Sequence, residues 1–153
     1  MLYLSYYLKQ NRARYYALLT RVRETGDWEE WVRFFLEGVR DTADGAARTA
    51  RDALRLFEGD RARIQSGSRL IGSALRVHEA LQRHPLLSVS AAAAATGLSY
   101  PTVDGAMRQL ESLGIVTEPA MRQRNRLYYY ARYLALLGEG TEPLAASPAR
   151  DSE

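Results

Sequence analysis

The spacing of apolar residues divides the chain into a long helical first half and a mixed second half. Apolar residues recur at intervals of three and four from Ser5 to Gly26 and again from Trp28 to about Ile64, which is the period of a helix with one buried face. Asp27 is suited to cap the second stretch. The pattern predicts a helical hairpin whose long second helix carries an apolar stripe formed by Trp28, Trp31, Val32, Phe35, Val39, Ala43, Ala46, Ala50, Leu54 and Phe57.

The second half begins after a short hinge, Gln65–Arg69, where we place the domain boundary. Apolar spacing then predicts a helix that ends at His84, because the residue before a proline disfavours the helical region. An alanine-rich helix from Ser88 to Thr96 follows. Its connection to the next helix, "TGLS", is a short glycine turn of the helix-turn-helix type.

That next helix lies within "GLSYPTVDGAMRQLESLGIV", residues 97–116. Ser99 is suited to cap it, Pro101 to occupy its first turn and Gly114 to end it. Its apolar residues recur at helical spacing, so the helix is amphipathic and has one outward side. This is the position of the recognition helix in a helix-turn-helix protein.

A two-stranded ribbon is predicted after this helix. "GIVTE" and "RLYYYA" are rich in β-branched and aromatic residues and flank the basic stretch Met121–Arg126. Strand alternation places Leu127 and Tyr129 on one face and Tyr128 and Tyr130 on the other, and for these tyrosines packing is favoured over stacking on bases. The fold class is therefore mainly α: a helical hairpin with one long helix, then a winged helix-turn-helix with a two-stranded β-wing. Residues 1–65, 66–137 and 138–153 form a helical domain, the winged helix and a disordered tail.

Composition limits the function. The chain has 153 residues, no cysteine, a net charge of +3 and a pI near 9.3, which excludes disulfides and thiolate metal sites. Lys9 is the single lysine; arginine suits phosphate, although an arginine bias also follows from a GC-rich genome. No apolar run is long enough for a membrane span or a signal peptide, so we expect a cytoplasmic protein that contacts no membrane.

The outward side of the residue 97–116 helix predicts contact with double-stranded DNA. Arg108 can bond guanine in the major groove, while the wing arginines can neutralise phosphates. The candidate DNA-binding residues are Tyr100, Thr102, Arg108, Gln109, Arg122, Arg124 and Arg126. The alternative is a winged helix used for protein contacts. Asp104 favours it by placing a negative charge where phosphates would approach, and Gly105 by offering no side chain.

No catalytic or metal site is predicted. His78 lies on an apolar stripe and His84 at a helix end, so both are interpreted as structural. Two histidines without cysteine make a zinc site improbable. Asp41, Asp44 and Asp52 alternate with arginines, which is typical of a solvated helix face. We expect no cofactor.

Two stretches resemble the C-terminal part of Fic-family proteins, which carries a winged helix behind the catalytic domain. They are "LYLSYYLKQNRARYYALLTRVRETGDWEEWVRFFLEGV", with the pattern Gly-Asp-Trp-x-x-Trp-x-x-Phe-Phe-Leu, and "LSVSAAAAATGLSYPTVDGAMRQLESLGIVTE" with "RQRNRLYYYARYLALL". Fic proteins transfer AMP to target proteins with a motif His-Pro-Phe-x-x-Gly-Asn-Gly-Arg. Here His84-Pro85 is followed by Leu86-Leu87 and the rest of the motif is absent.

The resemblance thus implies a non-catalytic C-terminal part of a Fic-like protein, either a fragment or a truncated reading frame. Its winged helix would bind DNA or, alternatively, make protein contacts or a dimer that regulates or targets a Fic enzyme. A Fic catalytic domain or a second copy of the chain is the expected partner. Self-association is predicted through an apolar surface formed by Tyr15, Trp28, Trp31, Phe34 and Phe35.

Overall fold

The computed structural model of the chain describes residues 4–67, 70–119 and 126–138. Within these ranges the protein is mainly helical with one small antiparallel sheet, which confirms the predicted fold class. The elements are α1 (Leu4–Gln10), α2 (Arg12–Thr25), α3 (Glu29–Gln65), α4 (Ile71–Arg83), β1 (Leu86–Ser88), α5 (Val89–Thr96), α6 (Tyr100–Ser112), β2 (Leu127–Tyr129) and α7 (Ala131–Gly138).

The chain forms two compact units that divide within α3. The first comprises residues 1–49 and 138–153, and the second comprises residues 50–137. The winged helix therefore shares its compact unit with the C-terminal part of α3, ahead of the hinge at residues 65–69. Apart from Gly138, the predicted tail lies outside the described residues.

In the first unit, α1 and α2 pack on α3 around Phe34. Phe34 is fully buried, and its ring centroid lies 5.4 Å from that of Tyr7 and 6.5 Å from that of Tyr15. One turn along α3, a Cβ added to Gly38 would lie 2.5 Å from Tyr7 Cδ1. Only glycine therefore admits the Tyr7 ring this close to the α3 backbone.

The single helix predicted from residue 5 to residue 26 is interrupted at Asn11. The Asn11 side-chain Nδ2 donates a hydrogen bond to the Tyr7 carbonyl oxygen at 3.0 Å, and the Asn11 backbone N–H donates to the same oxygen at 3.0 Å. An asparagine side chain competes in this way for the carbonyls of its own helix. The result is two helices, α1 and α2, in place of one.

The apolar stripe predicted along α3 is rotated from the buried face. Val32, Val39 and Leu54 are exposed, although the spacing places them inside. The buried residues of α3 are Phe34, Gly38, Ala53, Leu56, Asp60 and Ile64. Apolar residues occupy more than one side of this helix, so their spacing is compatible with either of two buried faces. The face that carries Phe34 is the buried one because Tyr7 and Tyr15 contact it.

The second unit has a core formed by α4, α5, α6, the sheet and the end of α3. Its fully buried members include Leu81 of α4, Met107 and Leu110 of α6, and Ile64 of α3. The predicted wing tyrosines, Tyr128 and Tyr130, are also fully buried. The prediction that these tyrosines pack inside the fold is confirmed.

The small sheet joins three parts of the chain. β1 pairs with β2 in antiparallel fashion, with Leu87 opposite Tyr128. On the other side of β2, Thr117 and Tyr129 exchange both backbone hydrogen bonds at 3.0 Å. The ribbon predicted between "GIVTE" and "RLYYYA" therefore forms, as a single bridge at Thr117, and β1 adds a pairing that the sequence did not reveal.

A buried carboxylate joins the end of α3 to the sheet. The Asp60 side chain is 2 % exposed and accepts a hydrogen bond from the Tyr130 hydroxyl at 2.7 Å. Arg63 and Arg132 donate to the other Asp60 oxygen at 3.0 and 3.3 Å. Burial and this hydrogen bond raise the pKa of Tyr130. A buried charge requires such partners, so Asp60 fixes the position of β2 against α3.

The chain of hydrogen bonds continues from Tyr130 to His78. His78 Nε2 lies 3.3 Å from the Tyr130 hydroxyl and His78 Nδ1 lies 3.3 Å from Gln82 Nε2. Because the tyrosine proton points to Asp60, His78 donates from Nε2 and accepts at Nδ1. Burial lowers the pKa of His78. His78 is thus a neutral residue of the core, which confirms its structural interpretation.

Candidate nucleic-acid interface

The candidate recognition helix α6 begins as the sequence predicts. Ser99 accepts the backbone N–H of Thr102 at 3.4 Å, and its hydroxyl lies 2.7 Å from the Thr102 hydroxyl. Pro101 occupies the first turn and Gly114 adopts the left-handed conformation after the helix, with φ +64°. The Thr102 hydroxyl is therefore engaged in the cap, and a nucleic-acid ligand would have to share it with Ser99.

Two of the candidate residues on α6 point to solvent. Tyr100 is 48 % exposed, and the Arg108 side chain is 63 % exposed. They stand eight residues apart on the same helix, or about 12 Å along its axis. Both side chains are therefore accessible to a groove as far as the described residues show.

Gln109 does not belong to this outward surface. Its side chain is half-buried against the end of α3, where a Cβ added to Gly67 would lie 3.2 Å from Gln109 Nε2. Gln109 Oε1 is buried, and it accepts no hydrogen bond among the described residues. A DNA contact by Gln109 stays a prediction, and the half-buried side chain would have to turn outward to make it. The sequence places it one residue beyond Arg108, which is enough to turn it about 100° around the helix.

Gly105 has a packing role that the sequence did not show. A Cβ added to Gly105 would lie 3.1 Å from Leu70 Cδ1, so the absent side chain makes room for Leu70. Leu70 precedes α4 and has a left-handed backbone, with φ +50°. Gly105 thus allows the N-terminal end of α4 to pack closely on α6. This packing explains the absence of a side chain at residue 105 without reference to DNA.

Asp104 connects the recognition helix to the base of the wing. Its Oδ2 lies 3.0 Å from Arg108 Nη2, and its Oδ1 lies 3.3 Å from Arg126 Nη1. Arg126 Nε also lies 3.3 Å from Glu118 Oε2. These four residues, Asp104, Arg108, Glu118 and Arg126, are named the Asp104 cluster below. Sequence reasoning missed Glu118, which follows the bridge residue Thr117 and reaches Arg126 only in the folded sheet.

The cluster is partly enclosed. The Asp104, Glu118 and Arg126 side chains are 21 %, 6 % and 26 % exposed, whereas Arg108 is largely in solvent. The Arg126 guanidinium carbon also lies 6.0 Å from the Tyr128 ring centroid, and burial raises the pKa of Tyr128. Asp104 therefore does not simply repel an approaching phosphate. It holds one arginine of the helix and one of the wing in place.

The remaining wing candidates are not part of the described structure. Arg122 and Arg124 lie outside the described residues, which resume at Arg126. The structure thus brings together Arg108 and Arg126, leaves Tyr100 on the same helix as Arg108, and places Gln109 half-buried near Gly67. For Arg122 and Arg124 the phosphate-binding role stays a prediction.

Charge is unequally divided between the two compact units. Residues 50–137 contain twelve arginines and seven carboxylate side chains, a net charge of +5. The first unit, residues 1–49 with 138–153, contains nine cationic and eleven carboxylate side chains, a net charge of −2. The net charge of the winged-helix unit is therefore more positive than the net charge of +3 of the whole chain, because the first unit is negative.

The described residues contain no group of three or more His, Asp or Glu side chains arranged to hold a metal ion. None of the helices in the described ranges combines the length and apolar character that crossing a bilayer requires. Comparison of the chain with models of known protein families found no match, and comparison with curated proteins found none either. The resemblance to Fic proteins, and all that it implies, stays a prediction.

Proposed function

We propose that the unit formed by residues 50–137 binds double-stranded DNA in the cytoplasm and catalyses no reaction. The observation that carries this proposal is the net charge of +5 on a compact winged helix whose α6 has an exposed outer side. Basic charge supplies sequence-independent affinity for the phosphate backbone, and a helix-turn-helix supplies a helix of the right size for the major groove.

The ion pair of Arg108 is compatible with base contact. Arg108 and Asp104 form an exposed i,i+4 pair, and such pairs contribute about 0–1 kcal/mol. A bidentate contact between arginine and guanine contributes about 1–3 kcal/mol of discrimination. Arg108 therefore loses less by leaving Asp104 than it gains by contacting guanine at the preferred base.

Arg126 has a different role in the proposal. Its two carboxylate partners, Asp104 and Glu118, hold the Arg126 side chain at the base of the wing, where it is 26 % exposed. It therefore contributes its charge to phosphate binding without a change of conformation. Arg122 and Arg124 supply the further phosphate contacts. Phosphate contacts of this kind position the protein and carry no sequence information.

Fluorescence anisotropy with labelled duplexes between ~50 and ~200 mM salt tests the proposal. Three phosphates neutralised by Arg122, Arg124 and Arg126 give a log–log salt slope of about −2.7, and removal of Arg122 or Arg124 makes it shallower by about one. Arg108→Ala behaves differently: it weakens binding to the preferred duplex by about 1–3 kcal/mol and changes other duplexes little. A random-oligonucleotide selection supplies the preferred duplex.

Arg23→Ala in α2 is the matched control, because it removes one exposed arginine from the first unit and leaves the winged helix unchanged. We expect its affinity and salt slope to equal those of the unmodified chain. A chain that no duplex retains at ~50 mM salt refutes DNA binding. Equal losses of affinity from Arg23→Ala and Arg122→Ala refute the assignment to the winged helix.

Protein contact is the second candidate function, and one observation favours it. The Asp104 cluster has two cations and two anions, so the centre of the proposed DNA-facing surface is locally neutral. A winged helix of this kind could instead dock on a protein, such as the Fic catalytic domain that the sequence resemblance implies. Absence of salt-sensitive DNA binding, together with co-elution with such a domain, supports this function.

The absence of catalysis is tested separately. The chain is incubated with labelled ATP, magnesium and a cell lysate, beside a heat-treated sample. We expect no label on any protein above the heat-treated control, since the Fic motif is missing from the sequence. Label transfer that depends on the chain contradicts this part of the proposal.

A further inference from the structure

One side of α3 in the first unit carries large apolar side chains that none of the described helices covers. Trp28, just before the helix, is 59 % exposed, and Val32, Leu36 and Val39 are 42 %, 57 % and 41 % exposed. They follow one another at intervals of four, four and three residues, which places them on one side of a helix. These four residues are named the α3 apolar face.

This surface differs from the one that the sequence predicts for self-association. Phe34 is fully buried, and Tyr15, Trp31 and Phe35 are half-buried within the first unit. Trp31 and Phe35 stack on each other with ring centroids 5.4 Å apart and planes 13° apart. Of the five predicted residues, only Trp28 belongs to the α3 apolar face. Tyr15 and Phe34 pack against each other between α2 and α3.

Charged residues flank the α3 apolar face in a regular order. The groove beside it is lined by Glu29, Arg33, Glu37 and Arg40, which alternate in sign along the helix. The order is negative, positive, negative, positive, and its midpoint lies near residues 34 and 35. Rotation of the helix by 180° about an axis through that midpoint brings Glu29 to the level of Arg40 and Glu37 to within one residue of the level of Arg33.

This order matches an antiparallel second copy of the same helix. With a two-fold axis beside residues 34 and 35, Glu29 lies opposite Arg40 of the partner subunit, and Arg33 lies within one residue, or about 1.5 Å along the axis, of the level of Glu37 of the partner subunit. In the apolar face, Val32 lies opposite Leu36 of the partner subunit. A two-fold axis repeats each of these pairings, as an isologous interface requires. A parallel, in-register pair would instead place like charges opposite each other.

We propose that a second copy of this chain covers the α3 apolar face, through antiparallel α3–α3 contact about a two-fold axis beside residues 34 and 35. The charged partners that Glu37 and Arg40 have within the chain, Arg14 at 3.2 Å and Asp41 at 3.1 Å, form exposed pairs. Such pairs contribute little and exchange readily. The proposal is independent of DNA binding, because it concerns the first unit alone.

The size of the contact sets the expected strength. The helix from Trp28 to Arg40 is about 18 Å long, and a strip of that length is smaller than the standard interface of about 800 Å² per partner. The dimer should therefore be weak and reversible, with a dissociation constant on the order of 10–100 μM. Sedimentation of the full chain from ~5 to ~300 μM measures it.

Charge reversal tests the pairing. Glu29→Arg places an arginine opposite Arg40 of the partner subunit at two symmetry-related contacts, and Arg40→Glu places a glutamate opposite Glu29 of the partner subunit. Each single variant should raise the dissociation constant by about tenfold. An equimolar mixture of the two variants should dimerise again, since each Arg then faces a Glu in the mixed pair. The double variant should likewise recover self-association.

Leu36→Lys tests the apolar part, and Leu54→Lys is its matched control. Both leucines are on α3 and are similarly exposed, at 57 % and 60 %, but Leu54 lies beyond the overlap of the two helices. Leu36→Lys should abolish dimers and Leu54→Lys should leave them unchanged. Circular dichroism confirms that each variant is folded. A chain that is monomeric at ~300 μM overturns the proposal, and dimers that survive both charge reversals overturn the antiparallel pairing.

Discussion

Replacement of Asp104 by asparagine separates the two functions proposed for the winged helix. The change removes one negative charge and keeps the size of the side chain, so Arg108 and Arg126 both lose a charged partner. If α6 faces DNA, we take about 8 Å as the distance from the lost charge to the nearest phosphates, which is within one Debye length at ~0.1 M salt. Coulomb's law then gives about 0.5–2 kcal/mol of relieved repulsion, for effective dielectric constants between about 80 and about 20. That is an affinity gain of about 2- to 30-fold.

The same substitution has an opposite effect on stability. Two partly exposed ion pairs are lost, which costs about 0.5–1 kcal/mol after allowance for solvent screening. Asp104→Asn should therefore melt at a lower temperature while it binds duplex DNA more tightly. Arg108 is released while Arg126 keeps its Glu118 partner, so the log–log salt slope should also steepen by about one. Anisotropy at ~50, ~100 and ~200 mM salt measures the slope, and a thermal melt measures the stability.

Asp52→Asn is the matched control. Asp52 pairs with Arg55 at 3.3 Å on the exposed surface of α3, so its replacement changes the charge equally without releasing an arginine near α6. We expect a small affinity gain and an unchanged slope. If Asp104→Asn binds no more tightly than Asp52→Asn, and its slope is unchanged, then α6 and the base of the wing do not face DNA.

Three further predictions concern stability. Tyr130→Phe removes one donor from the buried Asp60 and should lower the free energy of unfolding by about 2–3 kcal/mol, as measured by denaturant titration; a loss below ~0.5 kcal/mol contradicts the buried hydrogen bond. Because burial lowers the pKa of His78, the unfolded chain binds more protons, so stability should fall as pH drops below about 6.5 and should do so less in His78→Gln. Melting curves that are parallel for the two proteins from pH 7 to pH 5 argue against this. Gly38→Ala should lower the melting temperature because the added Cβ meets the Tyr7 ring. Gly59→Ala should raise it, because a Cβ there meets nothing within 4 Å. Equal changes in melting temperature for the two variants would contradict the close approach of Tyr7 to the α3 backbone.

Local signals in the sequence were sufficient for the elements of the winged helix. Ser99 caps α6 by its own hydrogen bond to the Thr102 N–H, and the left-handed conformations of Gly97 and Gly114 end the neighbouring helices. These interactions span only a few residues, so the sequence determines them directly. Alternation along β2 was likewise enough to place Tyr128 and Tyr130 on one face, and the structure shows that this face is buried.

Interactions between distant residues could not be predicted in the same way. Asp60 accepts from Tyr130, 70 residues away, and the sequence shows only an acidic residue among the charges of a long helix. The face of α3 that is buried depends on Tyr7 and Tyr15, which choose between two apolar sides. Gln109 differs from Arg108 by a single position, and only the end of α3 shows which of the two is covered.

The position of β2 between β1 and Thr117 affects how readily the protein can aggregate through this strand. "LYYYA", residues 127–131, is the stretch of this chain with three consecutive tyrosines, and aromatic segments of low charge pair readily with other strands when an edge is open. In the described structure both edges of β2 are paired: β1 lies on one side, with Leu87 opposite Tyr128, and Thr117 lies on the other, where it exchanges both backbone hydrogen bonds with Tyr129. The exposed edge falls instead on β1, which has only three residues and follows Pro85. Detachment of β1 would turn the most aromatic strand of the protein into an open edge.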